Sequence, residues 1–417
     1  MKKELLEIQN EWWFRGKVPK ELLKPYKREL YFELLSYLKK RQIMALTGLR
    51  RVGKTTLMYQ LIDYLLKIER PENIFYFSFD DAITDLNELF ETYQKINNID
   101  FRKKRTFIFF DEIQKLENWQ NQIKKYYDLY PKIKFIISGS ESLFILAKLR
   151  ESLAGRLYEF FLPTLSFKEF LNIQEKEKMM TVQKKALFEK YIVSGGFPET
   201  INFSENEIRR YVKSAVIDRV VFKDLIKTAS IKDADFLLKL IETFCSNPGR
   251  FLDYNSLAQQ FNRTRQIVSS YTFWLRESFL IKLIGNYRKG RIATLRKLKK
   301  AYPFDNALIL AFNPTINDLL LGKMVENAVV NALNVSFFWK NRHEVDVVYK
   351  DLPIEIKYQP KIISQDLKGI REFMKKSKVK KGIVITKEEE KELRVREGKI
   401  KLIPAYEFLY NLDKYNR

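Results

Sequence analysis

The chain has 417 residues, enough for two or three domains, and its 46% hydrophobic content can build ordinary cores, which excludes a disordered chain. One cysteine, Cys245, excludes an intrachain disulfide. One histidine, His343, excludes zinc sites built on several histidines and leaves the chemistry to carboxylates, Lys, Ser/Thr and backbone amides. A net charge of +24 favours a polyanionic partner: DNA, RNA or an anionic membrane surface.

The first residues, Met1-Lys2-Lys3-Glu4, lack an apolar signal core, and no apolar run of membrane-spanning length follows. The expectation is a cytoplasmic chain with no membrane partner; abundant Lys, Glu and Ile hint at a heat-adapted source. Trp12, Trp13, Phe14 and Tyr26 precede a helix-like stretch from Glu29 to Lys40 and are expected to pack rather than to stack on a base.

Ile43 to Thr47 is a short apolar run, followed by Gly48-Leu49-Arg50-Arg51-Val52-Gly53-Lys54-Thr55-Thr56 and then by helix-compatible residues 57–66. The nine residues fit the phosphate-loop pattern G-x-x-x-x-G-K-[ST] without departure. A loop between a strand and a helix N-terminus converges backbone N–H groups on an anion, and the helix dipole favours it there. Gly48, Arg50, Arg51, Val52, Gly53, Lys54, Thr55 and Thr56 are therefore expected to hold ATP, with Lys54 on its β- and γ-phosphates and Thr55 on Mg²⁺.

Asn73 to Phe79 is a second strand, and Thr106 to Phe110 a third, ending in Asp111-Glu112. Apolar residues that end in two acids describe a buried parallel strand with carboxylates at its C-terminal edge, where ligands bind in open α/β sheets. Asp111 is expected to orient Mg²⁺ and Glu112 to polarise the attacking water. Ile133 to Ile137 is a fourth strand; Ser138 or Ser140 at its end could sense the phosphate or the water. Leu157 to Leu162 is a fifth, and helix-length segments such as Asn118 to Tyr130 make the sheet mostly parallel.

This order of motifs resembles the AAA+ branch of the phosphate-loop ATPases. The resemblance implies a sheet order of 5-1-4-3-2. It also implies an arginine supplied by a neighbouring subunit or domain, for which Arg156 is the first candidate and Arg50 and Arg51 are others, and hence a possible homo-oligomer.

Ser166 with Glu169 reads as a capping box for a helix, and Gly195-Gly196-Phe197-Pro198-Glu199 breaks the helical pattern. With Gly155-Arg156 and Asp305, these residues resemble a large family of archaeal and bacterial AAA+ ATPases whose C-terminal domain, long of unknown function, has a nuclease-like fold. Leu237 to Phe244, Asn255 to Phe261, Gln266 to Arg276 and Phe279 to Ile284 read as helix, short helix, helix and strand. That is the layout of a winged helix-turn-helix, with Arg263, Arg265 and Gln266 near the start of the recognition helix. Arg288, Lys289, Arg291, Arg296, Lys297, Lys299 and Lys300 then form a basic run suited to DNA phosphates.

Near the C-terminus, Gly322 to Val330 is a helix carrying Glu326. Glu344 and Asp346 share one face of a strand, Leu352-Pro353 marks a turn, and Glu355 and Lys357 share a face of the next strand. Antiparallel pairing would bring Asp346 to Glu355 and Lys357. This resembles the PD-(D/E)xK nuclease core, with Glu326, Asp346 and Glu355 on Mg²⁺ or Mn²⁺ and Lys357 assisting catalysis.

The fold class read from the sequence is α/β. It comprises a phosphate-loop AAA+ domain over residues 1–165, a helical lid or connector over 166–230, a winged helix-turn-helix over 231–312 and a restriction-endonuclease-like α/β domain over 313–417. The expected function is Mg²⁺-dependent ATP binding and hydrolysis coupled to DNA binding. One alternative is an ATP-regulated, metal-dependent DNA endonuclease. Another is a nucleotide-switched signalling or scaffold ATPase with an inactive nuclease-like domain.

Overall fold

Five runs of apolar residues in the first third of the chain become strands β1 (Ile43–Thr47), β2 (Ile74–Ser78), β3 (Thr106–Asp111), β4 (Ile133–Gly139) and β5 (Leu157–Phe161). Every residue of β1, β3 and β4 is buried, as central strands covered on both faces require. In the computed structural model, which describes residues 3–80, 85–139, 153–174, 179–226, 231–288 and 298–416, the five strands are parallel in the order β2-β3-β4-β1-β5. This is the expected 5-1-4-3-2 order read from the opposite edge. Parallel pairing puts every strand's C-terminal end on one side, so the ends of β1, β3 and β4 converge there. Ser140, Lys289, Arg291, Arg296 and Lys297 lie outside the described residues.

β2 is an edge strand, and the N-terminal segment covers it. Asn10 pairs with it as a strand residue would: its amide donates to the Tyr76 carbonyl at 2.9 Å and its carbonyl accepts from the Tyr76 N–H at 2.7 Å. The indoles of Trp12 and Trp13 both donate to the Ile74 carbonyl, at 3.0 and 2.9 Å. Trp12 and Trp13 pack, as their sequence context suggested, whereas Phe14 is 67% exposed.

The chain divides into two units, Met1–Pro163 and Thr164–Arg417. In the second, the capping box of Ser166 and Glu169 forms at the start of helix Phe167–Ile173. Helix Thr181–Ser194 leads to the Gly195-Gly196 turn. There Asp305 accepts from the Gly196 N–H at 3.0 Å and from the Ala307 N–H at 2.8 Å, capping helix Asn306–Phe312. A side chain at Gly195, whose φ is +71°, would collide with the Asp305 carboxylate, so the glycine and the acid belong to one device.

Helices Ala234–Ser246, Tyr254–Gln260 and Arg265–Glu277 are interleaved with β6 (Arg250–Phe251) and followed by β7 (Ile281–Asn286) and β8 (Lys299–Pro303). After helix Asp318–Ala332 come β9 (Phe337–Lys340), β10 (Glu344–Tyr349) and β11 (Leu352–Lys357). Helix Lys368–Ser377 then precedes β12 (Lys381–Thr386), β13 (Lys391–Val395) and β14 (Gly398–Pro404). All nine strands form one sheet, β13-β14-β12-β11-β10-β9-β7-β8-β6. The junction is the short parallel pairing of β7 with β9 through Gly285–Phe337 and Asn286–Phe338.

The β10–β11 turn differs from the sequence expectation. It falls on Lys350-Asp351, both with positive φ (48° and 64°), while Tyr349 pairs with Leu352 and Val348 with Pro353. A two-residue hairpin loop with both φ values positive matches the right-handed strand twist. Pro353 fits inside β11 because pairing with β12 begins only at Ile354.

Candidate functional site

The phosphate loop runs from the end of β1 to the N-terminus of helix Lys54–Leu65. Two glycines shape it. A Cβ at Gly48 would strike the Leu162 carbonyl oxygen, so the loop can pass that close only without a side chain; Gly53 takes φ +96° at the helix start. Lys54 is 6% exposed, and its ammonium donates to the Gly48 and Leu49 carbonyls at 2.9 and 3.0 Å. The exposed Thr55 donates its hydroxyl to Asp111 Oδ2 at 2.6 Å, across 56 positions of sequence. Arg50 is partly exposed and Arg51 exposed, with φ +68° at Arg51; Val52 is buried.

Asp111 is the hub. Besides Thr55, its Oδ2 accepts from the Tyr76 hydroxyl at 3.2 Å, and its Oδ1 accepts from Ser138 Oγ and from the Glu112 N–H at 3.1 Å. Ser138 is fully buried and orients Asp111. Glu112 stands in a left-handed conformation (φ 52°), and its Oε2 accepts from Gln114 Nε2 at 2.5 Å. A hydroxyl and a carboxylate side by side at a helix N-terminus are hard oxygen donors that suit Mg²⁺.

The structure sets Arg156 apart from these residues. It precedes β5, its carbonyl accepts from the N–H of Ile43 at the first residue of β1, and its guanidinium pairs with Asp128 at 3.0 and 3.3 Å. That is the opposite edge of the sheet from the phosphate loop, about 15 Å of strand away, so Arg156 does not reach the loop of its own chain.

Three contributors had no sequence signal. Arg28 is buried, and its guanidinium donates to the Val52 carbonyl of the loop at 3.4 Å and to the Pro163 carbonyl at 3.1 Å. Tyr76 and Gln114 hold the two acids. Tyr76 was visible only as one apolar position in a strand.

In the second unit the structure brings Glu326, Asp346, Glu355 and Lys357 together, with Glu344 beside them. Asp346 Oδ2 accepts from the Ile356 N–H at 2.8 Å, and Lys357 pairs with Glu355 Oε1 at 2.7 Å. The centre of the cluster is Lys300 of β8. Its ammonium pairs with Glu344 Oε1 and lies 3.5 Å from Glu326 Oε1 and 3.9 Å from Asp346 Oδ1. The sequence expectation placed Lys300 on a basic surface facing DNA; at 2% exposure it is instead buried among carboxylates. Arg263 is likewise paired, with Asp233 at 2.7 Å.

Electrostatics follow from this packing. Burial alone would depress the Lys300 ammonium, but Glu326, Asp346 and Glu344 outweigh it and raise its pKa. Burial, with Asp346 nearby, pushes the Glu355 carboxyl up to about 8. Among the described residues no three acids, histidines or cysteines are arranged to hold a metal ion. Each acid that the nuclease resemblance would give to Mg²⁺ already has an ammonium group beside it, so the residues present do not fit that metal.

Comparison with known proteins matches residues 40–171 to the family described as AAA domain. Residues 185–318 and 321–408 match two different domains of unknown function (DUF8612 and DUF4143). Two uncharacterised proteins of Methanocaldococcus jannaschii are each 26% identical. One aligns over 332 residues, covering 75% of this chain and 71% of its own; the other aligns over 415 residues, covering 89% and 85%. An uncharacterised protein of Haemophilus influenzae is 26% identical over 67% of this chain and 72% of its own. Among solved structures, RuvB of Thermotoga maritima is 15% identical with a TM-score of 0.32 (63% of this chain, 91% of that one). Cdc6p of Pyrobaculum aerophilum is 11% identical with a TM-score of 0.30 (77% and 98%), a likeness too weak to argue from. The first unit thus carries a phosphate-loop domain of the AAA type. The acid cluster spans both domains of unknown function, since Lys300 falls in one and its carboxylate partners in the other.

Proposed function

We propose that this chain is an Mg²⁺-dependent ATPase that binds DNA. The observation that carries the first part is the Thr55 hydroxyl resting on the Asp111 carboxylate at 2.6 Å, one residue from Lys54 at a helix N-terminus. Lys54 exchanges two neutral carbonyl partners for phosphate oxygens, a stronger charge-assisted contact. The backbone N–H groups around Gly53, Lys54 and Thr55 receive the remaining phosphate charge. Thr55 and Asp111 would hold Mg²⁺, which when bound would supply positive charge against the phosphates. Glu112, released from Gln114, accepts a proton from the attacking water. Ser138 and Tyr76 keep Asp111 in place. Arg156, remote from its own loop, serves a neighbouring subunit of an oligomer.

The DNA-binding part is supported by the helix pair Tyr254–Gln260 and Arg265–Glu277 followed by the β7–β8 hairpin, a winged-helix order with Arg265 and Gln266 exposed at the second helix's start. The +24 charge supports it as well.

Nucleotide binding and turnover test the first part. Glu112→Gln is expected to bind ATP with turnover reduced about 100- to 10,000-fold; normal turnover in that variant removes Glu112 from the mechanism. For DNA, affinity is expected to fall steeply with salt, and Arg265→Ala to lower the salt slope by about 1. A flat salt response would give the basic surface another role.

A further inference from the structure

The cluster around Lys300 contains four carboxylates, Glu326, Glu344, Asp346 and Glu355, and four ammonium groups, Lys300, Lys323, Lys340 and Lys357. With every group ionised their charges cancel; Glu355, pushed up to about 8 by burial and Asp346, is the carboxyl of the four that takes a proton near neutral pH. The oxygens are also used. Glu326 Oε1 accepts from the Tyr302 hydroxyl at 2.6 Å and its Oε2 from Lys323 at 2.6 Å. Glu344 Oε2 takes Lys340 at 3.1 Å, and Asp346 Oδ2 takes the Ile356 N–H at 2.8 Å. Glu355 Oε2 alone among these carboxylate oxygens is buried without a hydrogen-bond partner.

Lys300 supplies the charge on which three of the acids converge. It comes from β8, with β7 and β9 lying between that strand and β10, and its ammonium lies over the rings of Phe251 and Phe338, 5.5 Å from each centre. A divalent cation placed among Glu326, Glu344 and Asp346 would meet this ammonium and would leave a buried excess of positive charge. Like charges at such separation in a dry site are strongly unfavourable.

We propose that Lys300 is the cluster's built-in cation: its ammonium stands where a divalent metal would otherwise sit between Glu326, Glu344 and Asp346, so the natural chain holds no metal there, and shortening that side chain converts the cluster into a divalent-cation site. The consequence is that this part of the chain does not perform metal-dependent cutting, and that the base of the β7–β8 hairpin is tied to β10 and to helix Asp318–Ala332 by charge. The inference stands whether or not the first unit hydrolyses ATP.

The test is Mn²⁺ binding to the full-length chain in nucleotide-free buffer, read from the paramagnetic resonance signal of free Mn²⁺. The natural chain and Asp346→Asn are expected to bind equally. Lys300→Ala is expected to bind about one additional Mn²⁺ per chain, because carboxylate oxygens suit that ion, and Lys300→Ala/Asp346→Asn to lose it. Mn²⁺ is expected to raise the melting temperature of Lys300→Ala beyond any rise in the natural chain. Mn²⁺ binding by the natural chain that disappears in Asp346→Asn overturns the proposal. So does a folded Lys300→Ala, judged by circular dichroism, that gains no ion. Should Lys300→Ala not fold in metal-free buffer, it is refolded in Mn²⁺: recovery supports the proposal, and failure at saturating Mn²⁺ overturns it.

Discussion

Two buried lysines, Lys54 and Lys300, do opposite things. Both are nearly inaccessible, at 6% and 2% exposure. Lys54 donates to two backbone carbonyls, which are neutral and easily surrendered to a phosphate. Lys300 faces three carboxylates, and leaving them would strand buried negative charge. The identity of the partner, not the depth of burial, decides whether a lysine is available to a ligand. A third lysine completes the series. Lys134 of β4 is 2% exposed with a carbonyl partner, the Gln42 oxygen; burial, with Arg105 and Lys40 nearby, pushes its pKa down to about 7.

The comparison breaks most visibly at Lys300. Lys300→Met in metal-free buffer is expected to cost about 3–5 kcal/mol, because removing one member of a buried ionic cluster leaves the others uncompensated. Denaturant unfolding measures it, and a loss under 1 kcal/mol, as for an exposed pair, would mean the cluster is wetter than its geometry implies. Lys54→Ala should act on function instead. Turnover is expected to fall about 100- to 1,000-fold with nucleotide binding lost, while the unfolding midpoint falls less than in Lys300→Met, since the two carbonyls that lose a donor are neutral.

Lys134 sharpens the comparison through pH. Its proton leaves the folded chain near pH 7 and the unfolded chain near 10.5, so between those values the unfolded state holds more protons and stability rises with pH. Below pH 7 the full penalty of the buried charge remains. Lys134→Met is therefore expected to be more stable at neutral pH and to lack the rise between 7 and 10.5, which melting across that range reads directly. The smallest effect is expected from Arg156→Ala. It removes a partly exposed pair with Asp128, worth at most about 1 kcal/mol, so any large loss of turnover in that variant must come from a neighbouring subunit's site.

The phosphate loop and its acid pair were legible because their parts are local. Gly48 to Thr56 is one continuous motif, and Asp111-Glu112 ends a strand whose parallel pairing puts it beside that motif. The acids of β10 and β11 were legible by strand alternation, which put Glu344 with Asp346 and Glu355 with Lys357. Arg28 and Tyr76 were not, because their roles depend on which carbonyl or carboxylate lies across a register that no local pattern states; Gln114, two residues from its partner Glu112, was not because such a spacing is no motif. The β10–β11 turn was misplaced by weighting Pro353 over Lys350-Asp351. The decisive feature there, two successive positive φ values, leaves little trace in those residue types.

Sequence by itself determined that this chain has a phosphate loop, an acid pair at a strand end and a second set of acids on a hairpin and a helix, since each depends on spacing within one or two elements. Tertiary structure alone decided what fills the second set. Lys299 and Lys300 look alike in a basic run, yet the pleat of β8 turns Lys300 into the interior, and the sheet's joining of β7 to β9 brings it to carboxylates that arrive 26 to 46 residues later. Charge counted along a chain cannot reveal which ammonium will be folded inward, because that depends on the strand partners it meets.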